Sequence, residues 1–158
     1  MGRRIAAWLT VLLLLSSCKV GGLRRTSGLS DAELQTSLLA LSDQLATAIS
    51  RRDPEAAAHG VRDDDHVVYV SDGEVIRGRE FRDVLRRFYA GIKRIDFRWD
   101  RREVKPVGDG GGVVTGWASI SLVDQAGASS TDKAMFTLVY EYSAGSWEMV
   151  TAHKTTVR

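Results

Sequence analysis

The spacing of apolar residues predicts two helices at the start of the folded chain. Leucines and an isoleucine recur at helical spacing over about residues 31–51, and Ser30 and Glu33 form a capping box in front of them. Asp53 followed by Pro54 is typical of the start of a second, shorter helix, because a capping side chain there precedes a proline in the first turn.

Strands follow, and most of them are long. A first strand is predicted at about 66–70, and the turn residues at 71–73 lead into a partner strand at 74–77. A third helix, over about 79–93, separates this hairpin from the rest. The order of elements indicates an α+β fold, with the helices packed on one face of a curved antiparallel sheet. The longer strands are predicted at about 95–99, 113–123, 133–142 and 147–157.

The strand at 113–123 carries apolar side chains on both of its faces. A strand in an antiparallel sheet with one face in water should alternate, so both faces are expected to be covered. The helices cover one face, and we predict that a second copy of the chain covers the other, giving a homodimer through the sheet. Strong curling of the sheet onto itself is the alternative. The residues are Val113, Trp117 and Val123 on one face, and Val114, Ala118, Ile120 and Leu122 on the other.

The first 17 residues have the layout of a secretion signal. Arg3 and Arg4 precede an apolar run of 11 residues, which is followed by small residues. A helix that crosses a bilayer needs about 20 residues, so this run is too short for a permanent transmembrane anchor. Cys18 is the single cysteine of the chain. An unpaired thiol is unusual in an exported protein, although an ordinary signal peptide with an incidental cysteine remains the alternative.

The stretch from Leu15 to Cys18 resembles the lipobox of bacterial lipoproteins, in which an aliphatic residue and two small residues precede a cysteine. In that family the cysteine sulfur takes a diacylglycerol and the signal is cut just before it. The resemblance implies a signal peptide at 1–17 and lipid attachment at Cys18. Residues 18–29 are then a lipidated cysteine with a flexible tether, and the folded domain occupies 30–158.

The lipobox resemblance also implies a location. Two acyl chains buried in a bilayer hold a protein stably at its surface. In Gram-negative lipoproteins an aspartate after the cysteine often means retention in the inner membrane, whereas this chain has Lys19. The expectation is a lipid-anchored protein of the bacterial cell envelope, on the periplasmic side of the outer membrane if the organism is Gram-negative.

Net charge gives no argument for a nucleic-acid partner. The chain has 22 basic and 20 acidic residues, but the signal contains two arginines and no acid, which leaves 20 of each after cleavage. The charges are nevertheless uneven, with 11 basic against five acidic residues in 77–105 and eight acidic against three basic in 31–65. The basic segment suits anionic headgroups or an acidic partner; a solvated face paired with the acidic half is the alternative.

Three segments are similar to the SnoaL-like branch of the nuclear transport factor 2-like superfamily. They are the first helix with the turn at 52–54, the hairpin that runs into Gly78-Arg79, and the closing strand at 145–155. The resemblance implies a cone, in which a bent sheet wraps around helices and leaves a pocket at its wide end. The superfamily includes ketosteroid isomerases, polyketide cyclases, dehydratases and many members without known activity, so the fold alone does not select a function.

Aromatic residues and one histidine are the candidates to line such a pocket. An apolar cleft with a few polar groups is the usual makeup of a small-molecule site, although these residues can equally be ordinary core. His153 shares a strand face with Met149 by period two, and it is a weak candidate for a catalytic base or hydrogen-bond donor. A structural histidine between core and edge is the alternative. The pocket candidates are Tyr69, Trp99, Trp117, Phe136, Tyr140 and His153.

Neither a cofactor nor a metal is predicted. The acidic run at 63–66 is best explained as a solvated loop, because adjacent residues of a strand point to opposite faces and do not converge on one ion. Asp96 alternates with the apolar Ile95 and Phe97, so no acid–base pair can be assembled around it. We therefore expect a module that binds a small apolar molecule or a partner protein without catalysis. The alternative is an isomerase, dehydratase or cyclase that uses His153 and a pocket tyrosine.

Overall fold

The computed structural model describes residues 28–157, and its helices lie in the first half of that range. Their bounds are Asp31–Ser50 for α1, Pro54–Ala57 for α2 and Gly78–Ala90 for α3. Within the described range, none of the helices combines the length and the apolar character needed to cross a bilayer. The predicted signal, Cys18 and most of the predicted tether lie outside the described residues.

Six strands of the described chain form one curved sheet, in the order β2-β1-β6-β5-β4-β3. The helices precede and interrupt these strands as the hydrophobic pattern predicted. The expected α+β class, with a curved sheet around N-terminal helices, is therefore confirmed. The strands are β1 Val68–Ser71, β2 Glu74–Arg77, β3 Ile92–Val107, β4 Gly111–Asp124, β5 Ser129–Ser143 and β6 Ser146–Val157.

The sheet departs from a purely antiparallel arrangement where β1 meets β6. These two strands run parallel, with Tyr69 opposite Ala152, whereas the other strand pairs are antiparallel. A parallel pair needs a long crossover connection, which α3 and the strands β3 to β5 supply here. The hairpin β1–β2 is thereby placed beside the last strand, and it extends the sheet toward α3.

Helix α1 is fixed to the sheet by both apolar and polar contacts. Leu34 and Leu38 are fully buried on its inner side. Ser42 is also fully buried, and its Oγ accepts a hydrogen bond of 2.7 Å from Arg102 Nη1 on β3. The Ser42 carbonyl accepts a second bond, 3.1 Å long, from Trp99 Nε1. Buried polar groups satisfied in this way fix the position of the helix along β3.

The start of α3 is packed closely against the loop before β1. Gly78 N donates a hydrogen bond of 3.0 Å to Val67 O. A Cβ atom at Gly78 would lie 2.8 Å from Asp64 O and 2.9 Å from Val67 Cβ, which is closer than side chains tolerate. A residue without a side chain is therefore needed here for α3 to begin this close to the loop before β1.

A β-bulge in β6 changes which of its side chains face the helices. Val139 pairs with Thr151 and Tyr140 pairs with Met149, so that Val150 is the extra residue between them. Met149 and Ala152 are both buried, whereas His153 is exposed. An uninterrupted strand would have kept Met149 and His153 on the same face.

Candidate functional site

A cavity of about 380 Å³ lies between the concave face of the sheet and the helices. Helices α1 and α3 supply residues such as Leu45, Ile49 and Leu85 to its wall, and all six strands contribute to the rest of the lining. The cavity has the size and the largely apolar lining that are typical of small-molecule sites.

Three aromatic rings from β3 and β5, which flank β4, form one wall of the cavity. The centroids of Phe97 and Trp99 lie 5.0 Å apart, and that of Phe136 lies 5.5 Å from the first and 5.6 Å from the second. All three pairs meet edge to face, which is a favourable arrangement for aromatic rings. Because Trp99 Nε1 is already bonded to the Ser42 carbonyl, this wall offers a ligand apolar surface.

Polar side chains gather on one side of the cavity, around Lys154 and Thr156. The Asp72 carboxylate, in the turn between β1 and β2, accepts a 2.5 Å hydrogen bond from Lys154 Nζ. It also accepts bonds from the Thr156 backbone N–H at 2.6 Å and from Thr156 Oγ1 at 3.0 Å. The bond from Lys154, together with those from Thr156, lowers the pKa of Asp72 to about 2. Lys154 is thus neutralised by its neighbour and is not an isolated cation facing the cavity.

Two tyrosines line the cavity, and both are held in the neutral form. Burial raises the pKa of Tyr69 to about 12, although a hydrogen bond with Ser71 acts in the opposite direction. Burial also raises the pKa of Tyr89 to about 12, with a smaller contribution from the Asp53 carboxylate. At neutral pH, therefore, each phenol keeps its proton and can donate a hydrogen bond.

The structure brings half of the predicted pocket residues to the cavity. Tyr69, Trp99 and Phe136 line it. Tyr140 is buried but lies in the core cluster with Leu38, away from the cavity lining. Trp117 points to the opposite face of the sheet, where it is 40% exposed.

His153 is also placed on the outer face, contrary to the period-two prediction. After the bulge at Val150, the side chains of β6 that face the helices are those that would otherwise face outward. Lys154 and Thr156 therefore line the cavity in place of His153. The His153 Nε2 atom lies 3.3 Å from Thr155 Oγ1, on the exposed side. The histidine is therefore not positioned to act on a molecule in the cavity.

The lining contains several residues that the pocket prediction did not include. The largest group comes from α3, whose apolar side was predicted from sequence but was not assigned to the pocket. On the strands, Lys154 and Thr156 were missed because the bulge in β6 leaves no clear signal in the sequence. The α3 residues are Phe81, Val84, Leu85, Phe88 and Tyr89.

The acidic run at 63–66 makes contacts within its own loop and with α3. Asp64 Oδ1 accepts hydrogen bonds from the backbone N–H groups of His66 at 2.7 Å and Val67 at 3.0 Å. Asp65 forms an ion pair with Arg79. Within residues 28–157 there is no group of three or more metal-ligating side chains arranged to hold an ion.

Comparison with protein families gives one match. The family model described as SnoaL-like domain matches residues 38–156, which run from within α1 almost to the end of β6. The comparison with curated proteins finds no match.

Solved structures share the fold at low sequence identity. A nuclear transport factor 2-like superfamily protein from Salmonella enterica is 12% identical, with a TM-score of 0.70 over 80% of this chain and 93% of that one. The association domain of CaMKII from C. elegans is 21% identical, with a TM-score of 0.62 over 78% and 96%. A hexachlorocyclohexane dehydrochlorinase, LinA type 2, is 13% identical, with a TM-score of 0.68 over 78% and 84%. The same fold thus occurs in an association domain and in a dehydrochlorinase.

Proposed function

Because the chain belongs to the SnoaL-like domain family, in which one fold serves different functions, we propose from the cavity itself that the protein binds a small, largely apolar molecule without turning it over. The observation that carries this proposal is the cavity of about 380 Å³, walled by aromatic and aliphatic side chains. Burial of apolar ligand surface contributes about 25 cal/mol per Å², so a ligand of ten to twenty heavy atoms gains useful affinity from such a wall.

The polar groups of the cavity support binding more than catalysis. A proton abstraction needs a base near the substrate with a pKa close to the working pH. The Asp72 carboxylate is occupied by Lys154 and Thr156, and the carboxylates of Glu74 and Asp132 lie at exposed positions of the lining. Among the described lining residues there is no histidine.

An isomerase, dehydratase or cyclase is the second candidate function. The observation in its favour is the likeness in fold to a hexachlorocyclohexane dehydrochlorinase. His153 does not line the cavity, so an enzyme of this kind would have to work with Asp132 or Glu74 as base and a tyrosine as proton donor. Turnover of any cavity ligand that is abolished by Asp132→Asn or Glu74→Gln would establish this candidate.

The binding proposal is tested by filling the cavity. Val84 lines it, and Val84→Trp should occupy its volume, whereas Val75 is 57% exposed on β2 and Val75→Trp is the matched control. The probe is N-phenyl-1-naphthylamine, a neutral dye that fluoresces in apolar sites. We expect Val84→Trp to weaken dye binding by about tenfold or more, as lost burial of this size implies, and Val75→Trp to bind like wild type. Equal binding by wild type and Val84→Trp would contradict the proposal.

We further propose that the domain is carried on the bacterial cell envelope by a lipid at Cys18. The support is the lipobox-like stretch from Leu15 to Cys18 behind an apolar run of 11 residues. Cys18→Ala should abolish labelling by radioactive palmitate and release the protein from the membrane fraction. Lys19→Asp is the matched control, since it keeps the cysteine and should leave the protein lipidated and membrane-bound. Unchanged fractionation of Cys18→Ala would contradict lipidation.

We also propose that two copies of the chain associate through the outer face of the sheet. This outer face is formed by β4 and β5 on the side away from the helices. Trp117 is 40% exposed there, with the Arg101 guanidinium 5.8 Å from the centre of its ring. An exposed tryptophan among half-buried valines and threonines suits a self-complementary interface. An association domain among the proteins of like fold is consistent with this proposal.

A further inference from the structure

We propose that the junction between α3 and β3 is a docking surface for an anionic phospholipid bilayer. We call this surface the junction patch, and it consists of Arg87, Phe88, Lys93 and Arg94. The proposal goes beyond the binding function of the cavity, and it depends on the proposed cell-envelope location only for its biological setting.

Ion pairs with carboxylates account for only part of the basic segment 77–105. Within residues 28–157, no ion pair is formed by Arg87, Lys93 or Arg94, and all three are exposed. The span 84–95 that holds them contains four basic residues and no acidic one. The junction is thus a part of the segment where positive charge remains available to a partner. The arginines of the segment that do pair with carboxylates are Arg79, Arg82, Arg86, Arg98, Arg101 and Arg102.

A β-bulge at the start of β3 leaves two consecutive cations exposed. The register between β3 and β4 shifts between Ile92 and Arg94, so that Lys93 is the extra residue. Ile92 and Ile95 are buried, at 7% and 5% exposure, whereas both residues between them are exposed. In a regular strand, one of two neighbouring side chains would face the core. The bulge therefore concentrates positive charge at this edge of the sheet.

Phe88 places an apolar ring beside these charges and at an opening of the cavity. It lines the cavity and yet is 45% exposed. Its carbonyl accepts a hydrogen bond of 3.1 Å from Gly91 N, which closes the last turn of α3 immediately before β3. Cations around an exposed aromatic ring suit a bilayer surface, where phosphates lie over apolar acyl chains. Docking through the junction patch brings this opening of the cavity to the bilayer.

The charges that border the junction patch leave it net positive. Arg52 adds a further cation, since its Nη1 donates a hydrogen bond of 2.6 Å to Ile92 O. Three carboxylates lie near the patch. Those of Asp53 and Asp124 each accept a hydrogen bond from a backbone N–H of their own turn, at 2.9 Å and 2.8 Å, and that of Asp96 is exposed. A surface of this charge binds a bilayer weakly by itself, so a tether that keeps it near the membrane strengthens docking.

The predicted tether is long enough for docking. Helix α1 has 20 residues, so about 30 Å separate its first residue from the end that reaches the junction. Residues 18–27 lie outside the described part of the chain, and ten residues span at most about 33–36 Å. A lipid at Cys18 and the junction patch can therefore meet the same bilayer.

The test uses residues 18–158 with Cys18→Ala, which carry neither the predicted signal nor an acyl chain. Removing residues 1–17 leaves every described helix and strand in place, since these lie within 28–157. Binding is measured by flotation with phosphatidylcholine vesicles that contain either no or about 30% phosphatidylglycerol. We expect binding to the anionic vesicles to be at least about tenfold tighter and to weaken as salt is added. Equal binding to the two kinds of vesicle would overturn the proposal.

Two charge reversals on β3 distinguish the junction patch from general attraction. Lys93 and Lys105 are both exposed, and neither forms an ion pair within the described residues. We expect Lys93→Glu to weaken binding to the anionic vesicles by about tenfold, and Lys105→Glu, the matched control, by less than about threefold. Equal losses in the two variants would mean that the junction has no special role. Binding of polyglutamate without binding of vesicles would assign the patch to an acidic protein and overturn the bilayer.

A second measurement follows the docked surface directly. In the Cys18→Ala chain, Phe88→Cys supplies a single thiol, which is labelled with nitrobenzoxadiazole. Val75→Cys is the matched control, because Val75 is 57% exposed on β2, at the opposite edge of the sheet. We expect anionic vesicles to shift the emission of the label at residue 88 to the blue and to leave that at residue 75 unchanged. An unshifted label at residue 88 on vesicle-bound protein would refute docking through this patch. None of these measurements depends on lipidation or on a cavity ligand, so their failure leaves those two proposals standing.

Discussion

Two turns with left-handed backbone differ by one side chain. The β1–β2 turn has Asp72 and Gly73 at φ 50° and 92°, and the β5–β6 turn has Ala144 and Gly145 at 51° and 86°. Two-residue hairpin turns with positive φ at both centres match the twist of the strands and favour Asn or Asp before Gly. Asp72 satisfies this preference, whereas the Cβ atom of Ala144 makes its left-handed backbone unfavourable.

Replacing this alanine should stabilise the protein. Ala144→Asn keeps the turn and places a residue that tolerates positive φ, so we expect the free energy of unfolding to rise by about 0.5–1 kcal/mol. Urea denaturation followed by circular dichroism measures the change. The matched control is Ala126→Asn, at an exposed loop position without positive φ, which should change stability by less than about 0.5 kcal/mol. A loss of stability in Ala144→Asn would contradict the claim that the left-handed backbone at residue 144 is unfavourable for alanine.

The Asp72 carboxylate should make the stability of the folded protein depend on pH in the acidic range. Its pKa is about 2 in the folded protein against an ordinary 3.8, so folding is favoured by the charged form. This contribution is fully present above about pH 4 and is lost as pH falls toward 2. We expect Asp72→Asn, which tolerates the same left-handed backbone, to lower the urea midpoint at pH 6 and to approach wild type at pH 2.5. Asp63→Asn, at an exposed loop position, is the control; a deficit of Asp72→Asn that is equal at both pH values would contradict the prediction.

At the scale of elements, Arg102 joins α1 to β3. Its Nη1 donates to Ser42 Oγ and, at 2.6 Å, to Asp43 Oδ1, and its guanidinium lies 5.8 Å from the centre of the Trp99 ring. The side chain is 19% exposed, so these bonds are partly shielded from water. The contact holds the aromatic wall of the cavity against the helix.

Removing this contact should destabilise the protein and loosen the cavity wall. Arg102→Met keeps the length of the side chain but leaves Ser42 without its donor, and we expect a loss of about 1–3 kcal/mol in unfolding free energy. Arg87→Met, at an exposed position of α3, is the matched control and should cost less than about 0.5 kcal/mol. Thermal and urea unfolding of the two variants give the comparison. Equal stability of the two would show that the bonds of Arg102 contribute nothing net.

The elements show which parts of the fold can be predicted from sequence. Helical spacing and a capping box located α1 to within one residue, because these signals are local. The face of His153 could not be predicted, since the bulge at Val150 depends on how β5 and β6 pair. The hydrophobic pattern also could not predict which aromatic residues line the cavity and which lie in the core. Tyr140 and Phe136 lie on the same face of β5 and in the same core cluster, yet of the two only Phe136 lines the cavity.

At the scale of the whole molecule, β4 serves two surfaces at once. Val114 and Ala118 are fully buried toward the helices, and Ile120 and Leu122 line the cavity. The alternate residues form the outer face, where Trp117 remains 40% exposed. In a monomer, this large apolar ring would be exposed to water in the middle of the sheet. Self-association would therefore cover the outer face without closing the cavity, which lies on the other side.

A charge at the centre of the outer face should separate the two copies. In a two-fold interface each substitution occurs twice, so Trp117→Glu removes two apolar anchors and places two like charges close together. We expect wild type to sediment as a dimer in analytical ultracentrifugation and Trp117→Glu to sediment as a monomer with its fold intact. Leu39→Glu, at a 36% exposed position of α1, introduces the same charge on the helix side and should remain dimeric. A monomeric wild type, or a dimeric Trp117→Glu, would contradict self-association through the outer face.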